Sequence, residues 1–352
     1  MERRFSKVVV LFMILALVLS LSACGGNAGN ETDTGGDTKS GESVSATDAA
    51  AYKIVLLLPG PINDQSWNAT NYAGLEACNN TLGTKIEYVE NVQASDFEST
   101  LREYAERGYD LILSAGSQFD EAVATVAPNY PDTTFCVVNG SKCDGGNIAP
   151  IFPKEYEASY IASIIAGHVT KNGNFATIGG FPNEPMEHLM DVFEKNAVAI
   201  AKERNIDGAK ATRAYANSWD DVALGKQMAE QMIDNGADTL FVYANEVGLG
   251  SIEAAKAKGA KFIGFSSDQT TIDPDTVVAS VVFDFETFYI WAIEQYMAGK
   301  LTGNTVHEAG INEGIFVPVY TDNMKSEIKD AVDAGMEDFK AGKVVLSEMF
   351  EQ

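Results

Sequence analysis

The feature that most constrains this chain is a repeated exchange of short apolar runs with amphipathic stretches. Residues 53–58 (KIVLLL) form a continuous β-branched and leucine-rich run, the pattern of a strand buried on both faces. Helical spacing follows over 66–79, and a second strand is expected at 85–89. Ser95 and Glu98 match a capping box ahead of Phe97, Leu101, Tyr104 and Ala105, which share one helix face. Strands are expected at 111–113, 134–138 and 147–152.

The exchange then restarts. Tyr156, Tyr160, Ile161, Ile164 and Ile165 mark a helix, followed by a strand at 175–178 and a long helix over 186–204. Strands at 209–215, 240–243 and 261–265 alternate with helices at 221–235 and 249–258. Strand–helix alternation means parallel sheets with right-handed crossovers. Two such units predict an α/β protein of two lobes, each a parallel sheet flanked by helices, with a ligand cleft between them. Ligands of open parallel sheets sit beyond the carboxyl ends of the strands. The expected lobes are 52–152 plus 270–305, and 153–269 plus 306–352. Hinges are expected near Phe152 and Pro153, within 270–274, and after Gly303.

Five loops follow expected strands and carry aromatics, amides and carboxylates. The first supplies Asn63, Asp64, Trp67 and Asn68; the second supplies Gln118 and Phe119. The third holds Trp219, the fourth Asn245 and Glu246, and the fifth Asp268. Asp64 and Asn63 are equally suited to capping the helix that follows, and Phe119 to filling the core. Trp67 and Trp219 come from different halves, so two indoles could flank one planar ligand.

The amino end reads as a targeting segment. Arg3, Arg4 and Lys7 precede a 12-residue apolar run at 8–19, and Leu21-Ser22-Ala23-Cys24-Gly25 follows. The run is too short to span hydrocarbon, which takes about 20 residues. The segment resembles a bacterial lipoprotein signal, 1–23, which implies cleavage before Cys24, acylation of its thiol and a place at the outer face of the cytoplasmic membrane. Residues 24–51 lack aromatics and are expected to form a disordered tether. Three basic residues and Glu2 precede Cys24, so the chain from Cys24 onward carries a formal charge of −27, against −25 for the whole. Such a chain is poorly suited to binding nucleic acid by charge. Cys78, Cys136 and Cys143 remain; the last two could form a disulfide, or Cys136 could simply be core.

His168, His188 and His307 share no metal-ligand spacing, and neither a Gly-x-Ser-x-Gly elbow nor a phosphate loop is present. A binding protein without chemistry of its own, without cofactor or metal, and monomeric, is therefore expected.

Five blocks in order carry a resemblance over nearly the whole chain beyond the tether. They are Asp64-Gln65-Ser66-Trp67-Asn68; Lys154-Glu155-Tyr156-Glu157-Ala158-Ser159-Tyr160; Gly179-Gly180 with Pro185 and Phe193; Gly248-Leu249-Gly250 with Glu253-Ala254-Ala255; and Ile263-Gly264 with Asp268-Gln269. Together they resemble the basic membrane protein (Bmp) family of substrate-binding lipoproteins. The resemblance implies a small-molecule ligand, a purine nucleoside or a related flat heterocycle, and an ABC permease with its ATPase as partners. It implies base stacking by Trp67 and Trp219, ribose contacts from Asp268, and ligand contacts near Asp64 and Asn68. Trp stands where Phe is more usual, and Phe283 stands where relatives often carry Lys. A sugar receptor of the same fold, or a sensory receptor, are the alternatives.

Overall fold

The computed structural model describes residues 49–64 and 67–350. The signal segment, Cys24, almost all of the tether, and the motif residues Gln65 and Ser66 lie outside the described residues. The chain opens with β1 (Ile54–Leu57), α1 (Trp67–Leu82), β2 (Glu87–Val89), α2 (Phe97–Glu106), β3 (Leu111–Ala115), α3 (Asp120–Val126), β4 (Thr134–Val138) and β5 (Ile151–Pro153). It continues with α4 (Glu155–Val169), β6 (Asn174–Gly179), α5 (Glu184–Glu203), β7 (Lys210–Tyr215), α6 (Val222–Asp234), β8 (Thr239–Tyr243), α7 (Asn245–Lys258) and β9 (Lys261–Ser266). The last elements are β10 (Val277–Phe283), α8 (Phe285–Met297), β11 (His307–Ala309), β12 (Phe316–Tyr320) and α9 (Ser326–Lys340).

The strands form two six-stranded sheets, in the orders β11-β5-β4-β3-β1-β2 and β12-β10-β9-β8-β6-β7. Every pairing is parallel except β10 with β12. The register explains the sequence pattern. Leu56 lies beside Leu113, and Leu113 beside Cys136, so one face of the first sheet is a continuous apolar layer. Val55, Ile112 and Phe135 form the layer on the other face. Helices cover both faces, which is why the central strands read as unbroken apolar runs rather than alternating ones.

The boundaries expected for the lobes differ from the strand pairing at two places. Residues 270–305 were expected with the first sheet, but β10 hydrogen-bonds to β9 in the second. The chain leaves that sheet only at Asp284, after which α8 packs on α1. Conversely, β11 falls in the segment expected with the second lobe, yet it pairs with β5 in the first sheet. An apolar run carries no label for the sheet it joins, so periodicity could not place either strand. The chain thus passes between sheets at Pro153–Glu155, at Phe283–Phe285, and between β11 and β12.

The expected capping box at Ser95 and Glu98 does not form. Ser95 Oγ donates to Asp96 Oδ1, and a short 3-10 turn, Ala94–Asp96, leads into α2 instead. Cys136 is fully buried in β4, and Cys78, Cys136 and Cys143 are all free thiols. Burial pushes the Cys78 thiol up to about 12 and the Cys136 thiol higher still.

Candidate functional site

The carboxyl ends of the strands in both sheets carry most of the residues that the sequence singled out. In the first sheet these residues are largely spent on structure. Asp64 caps α1: its Oδ2 accepts from the Asn68 amide N–H at 3.0 Å and from Asn68 Nδ2 at 2.7 Å, and its Oδ1 accepts from the Ala69 N–H at 2.9 Å. Asn68 Oδ1 in turn accepts from the Gly60 N–H at 3.0 Å, and the side chain is buried. Both ends of that amide are occupied, so it fixes the loop after β1.

Trp67 is partly exposed. Its Nε1–H donates to the Ala115 carbonyl at the end of β3, at 3.0 Å, and its ring meets Phe285 edge-on at 5.7 Å. The indole is locked in orientation, and only its face is left for a ligand. Asn63 is exposed. Gln118 is exposed beside α2 and α3, in a recess shared with Ser95, Glu98 and Arg102. Phe119 departs from its expected role: it is fully buried and stacks on Phe97 with ring centroids 3.8 Å apart. A phenylalanine directly before an amphipathic helix fills the core here because α2 offers an apolar partner.

The second sheet presents an open wall. Trp219 lies across the end of β6 on Gly180, where an added Cβ would come within 2.4 Å of the indole. Only glycine lets the ring approach the backbone this closely. Phe181, 38% exposed, flanks the indole at 5.6 Å, and Tyr243 meets it edge-on at 6.4 Å. Tyr243 also packs on Phe265 at 4.7 Å, which joins the wall to the core. Next to it lies a recess of about 410 Å³ lined by Tyr243, Asn245, Glu246, Ser266, Ser267 and Gln269. Asn245 and Ser266 hold positive φ values of 38° and 72°, so both loops turn sharply at the recess. Asp268 is exposed, and its Oδ1 accepts from the Thr270 N–H and Oγ1–H at 2.9 and 2.6 Å.

Behind the wall, α6 and α7 meet backbone to backbone. A Cβ at Gly250 would lie 1.9 Å from the Val222 carbonyl, which gives the Gly-Leu-Gly block a packing role. The second block has a comparable one. Glu157 is buried at the start of α4; its Oε2 accepts from the Ile311 N–H at 2.7 Å, and its Oε1 pairs with Lys154 Nζ at 2.7 Å. It thereby ties α4 to the segment between β11 and β12. Burial raises the Glu157 carboxyl above its usual range, and Lys154 opposes that.

A model of substrate-binding proteins of ABC transporters, described as PnrA-like, matches residues 51–341. The chain belongs to the Bmp family. A nucleoside-binding ABC transporter protein of Lactococcus lactis, BmpA, is 28% identical over 81% of this chain and 86% of its own length. A purine-binding protein of Brucella abortus is 24% identical over 83% of this chain and 82% of its own. Among solved structures, an ABC transporter solute-binding protein of Aeropyrum pernix superposes with a TM-score of 0.64 at 19% identity, covering 84% of this chain and 92% of that one. That likeness shows the fold, a two-lobed periplasmic-binding-protein-like architecture. The chain is accordingly a substrate-binding protein of the ABC transporter class, whose members bind and deliver rather than transform.

Two residues that touch the aromatic wall, Phe181 against Trp219 and Glu155 against Tyr243, were not singled out from sequence. Phe181 directly follows the Gly179-Gly180 pair at the end of β6. Glu155 stood inside a family block, and its position directly after β5 at a lobe crossing was the available signal. Among the described residues no cluster of His, Cys, Asp and Glu could hold a metal ion. Nor is any described helix long and apolar enough to cross a membrane.

Proposed function

We propose that this protein captures a purine nucleoside, or a closely related flat heterocycle, for an ABC importer. The observation that carries the reading is the aromatic wall of Phe181, Trp219 and Tyr243 beside a polar recess at the strand ends. A flat ligand buries large area against such rings. The amides, hydroxyls and carboxylates of Asn245, Glu246, Ser267 and Asp268 suit the hydroxyls of a ribose. The nucleoside-binding and purine-binding relatives support the same class. Trp67, held face-free at the opposite sheet, is the proposed second half of the stack, completed when the lobes close. Asp64 and Asn68 serve by fixing the loop that carries it. The lobes proposed to close are those built on the two sheets.

The sequence before the described residues supports export and a lipid on Cys24. Substituting Cys24→Ala should abolish incorporation of labelled palmitate. For the ligand, calorimetric titration of the purified protein with purine nucleosides, free purines and monosaccharides decides. Binding of a nucleoside in the micromolar range or tighter is the expected result, whereas binding of a monosaccharide alone would overturn it.

A further inference from the structure

Glu155 occupies a position that neither the capping nor the packing of the fold explains. It is the first residue of α4, directly after the chain leaves β5. One oxygen, Oε1, accepts a short hydrogen bond from the Tyr243 hydroxyl. Tyr243 ends β8 and is the same ring that braces Trp219 and lines the polar recess. The other oxygen, Oε2, makes no hydrogen bond among the described residues, and it is not a sealed, unpartnered atom either. The residue also lines a second recess of about 140 Å³, together with Phe152, Tyr156, Pro185 and His188. The acid therefore stands between the aromatic wall and the crossing, with one oxygen fixed and one available.

We propose that Glu155 is a recognition residue of the cleft, whose Oε2, aimed by Tyr243, accepts an N–H or O–H donor of the bound ligand. The inference rests on the nucleoside reading above, because such a ligand carries donors on both its base and its sugar. A carboxylate accepts without competing donors of its own, and a charge-assisted bond of this kind is stronger than a neutral one. Burial alone would favour the neutral acid, and it raises the Glu155 carboxyl to about 7, against the opposing hydrogen bond from Tyr243. A ligand donor would restore the charged form, so binding should strengthen as pH rises through neutrality. The groups that face this region are Lys154 just before α4, Glu157 on α4, Glu184 and His188 on α5, Glu308 on β11, and Tyr243 on β8.

The test measures inosine and guanosine affinity from pH 5.5 to 8.5 for the full protein and for Glu155→Gln, Tyr243→Phe and His188→Gln, with melting temperatures alongside. Glu155→Gln should weaken binding at pH 8 at least about fivefold and flatten the pH profile, at a melting temperature no lower than that of the parent. Tyr243→Phe, which keeps the acid but removes its guide, should weaken binding less. His188→Gln should leave the profile in place. Affinity within twofold of the parent and an unchanged profile in Glu155→Gln would overturn the inference while leaving the nucleoside reading intact. Failure of the parent protein to bind either nucleoside would overturn both.

Discussion

The strand-end loops of the two sheets are built from similar residue types and use them in opposite ways. After β1 and β3, the carboxylate and amide of Asp64 and Asn68 are consumed by backbone groups and by each other, and the Trp67 N–H is tied to Ala115. After β6, β7 and β8, Phe181, Trp219, Asn245 and Glu246 keep exposed surface. The first sheet thus offers a rigid plate, and the second an aromatic wall with polar groups still free to pair. An interface made this way spends little conformational entropy on one side and keeps adaptability on the other.

The largest expected effect tests that division at the two indoles. Trp219→Ala should weaken nucleoside binding by about 2 kcal/mol or more, some 30-fold, with little change in stability. Trp67→Ala should weaken binding too, but also lower the melting temperature, because it removes the link between α1 and β3. Equal effects on stability from both substitutions, read by calorimetry, would break the contrast between plate and wall.

A second pair of substitutions separates structural from free polar groups. Asp64→Ala should cost about 1–2 kcal/mol of stability, as loss of an N-cap does. Asn245→Gly, which tolerates the positive φ at this position, should leave urea unfolding nearly unchanged, since the Asn245 side chain makes no hydrogen bond among the described residues, and should instead reduce affinity. A destabilised Asn245→Gly would mean that the second wall is also structurally committed.

These contrasts bear on what a sequence can display. Central strands such as β1, β3 and β4 were legible because helices cover both of their faces and every position is apolar. The part beyond residue 270 was not, for two reasons. β10 is as apolar as its neighbours, but nothing local tells it to pair with β9. The helix α8 is apolar around most of its surface because it lies against α1 and the crossing strands, so its 3.6-residue rhythm is faint. At the site, Trp219 stood out as an aromatic at a strand end. Phe119 stood out by the same criterion and became core, because only the distance to Phe97 distinguishes the two. Glu155 was passed over because its partner, Tyr243, is 88 residues away in sequence.

Glu155 also predicts a pH dependence of stability that the first sheet's cap should not share. Burial raises its carboxyl to about 7 in the folded chain, above the ordinary 4.5. The folded state therefore favours the protonated acid. The stabilisation is fully present below about pH 4.5 and is lost as pH rises through 7. Glu155→Gln mimics the neutral acid, so the variant should match the parent at about pH 4 and melt higher at pH 8, by about 2–4 °C for each kcal/mol relieved. Ligand-free melting curves at both pH values check this.

The smallest effect concerns the thiols, and it probes how tightly each sheet is sealed. Cys78 and Cys136 lie in the first sheet's core, and burial raises both thiols, so neither presents a thiolate near neutral pH. Cys143 is partly exposed on the loop after β4. Native protein treated with iodoacetamide at pH 8 should therefore take up label at Cys143, with the other two reacting only after denaturation. Labelling of Cys78 at a comparable rate would show that α1 opens readily from α8, which would undo the picture of a rigid plate. Protection of Cys78 with or without ligand would place all of the ligand's ordering effect on the second sheet's loops, where the free aromatic and polar groups lie.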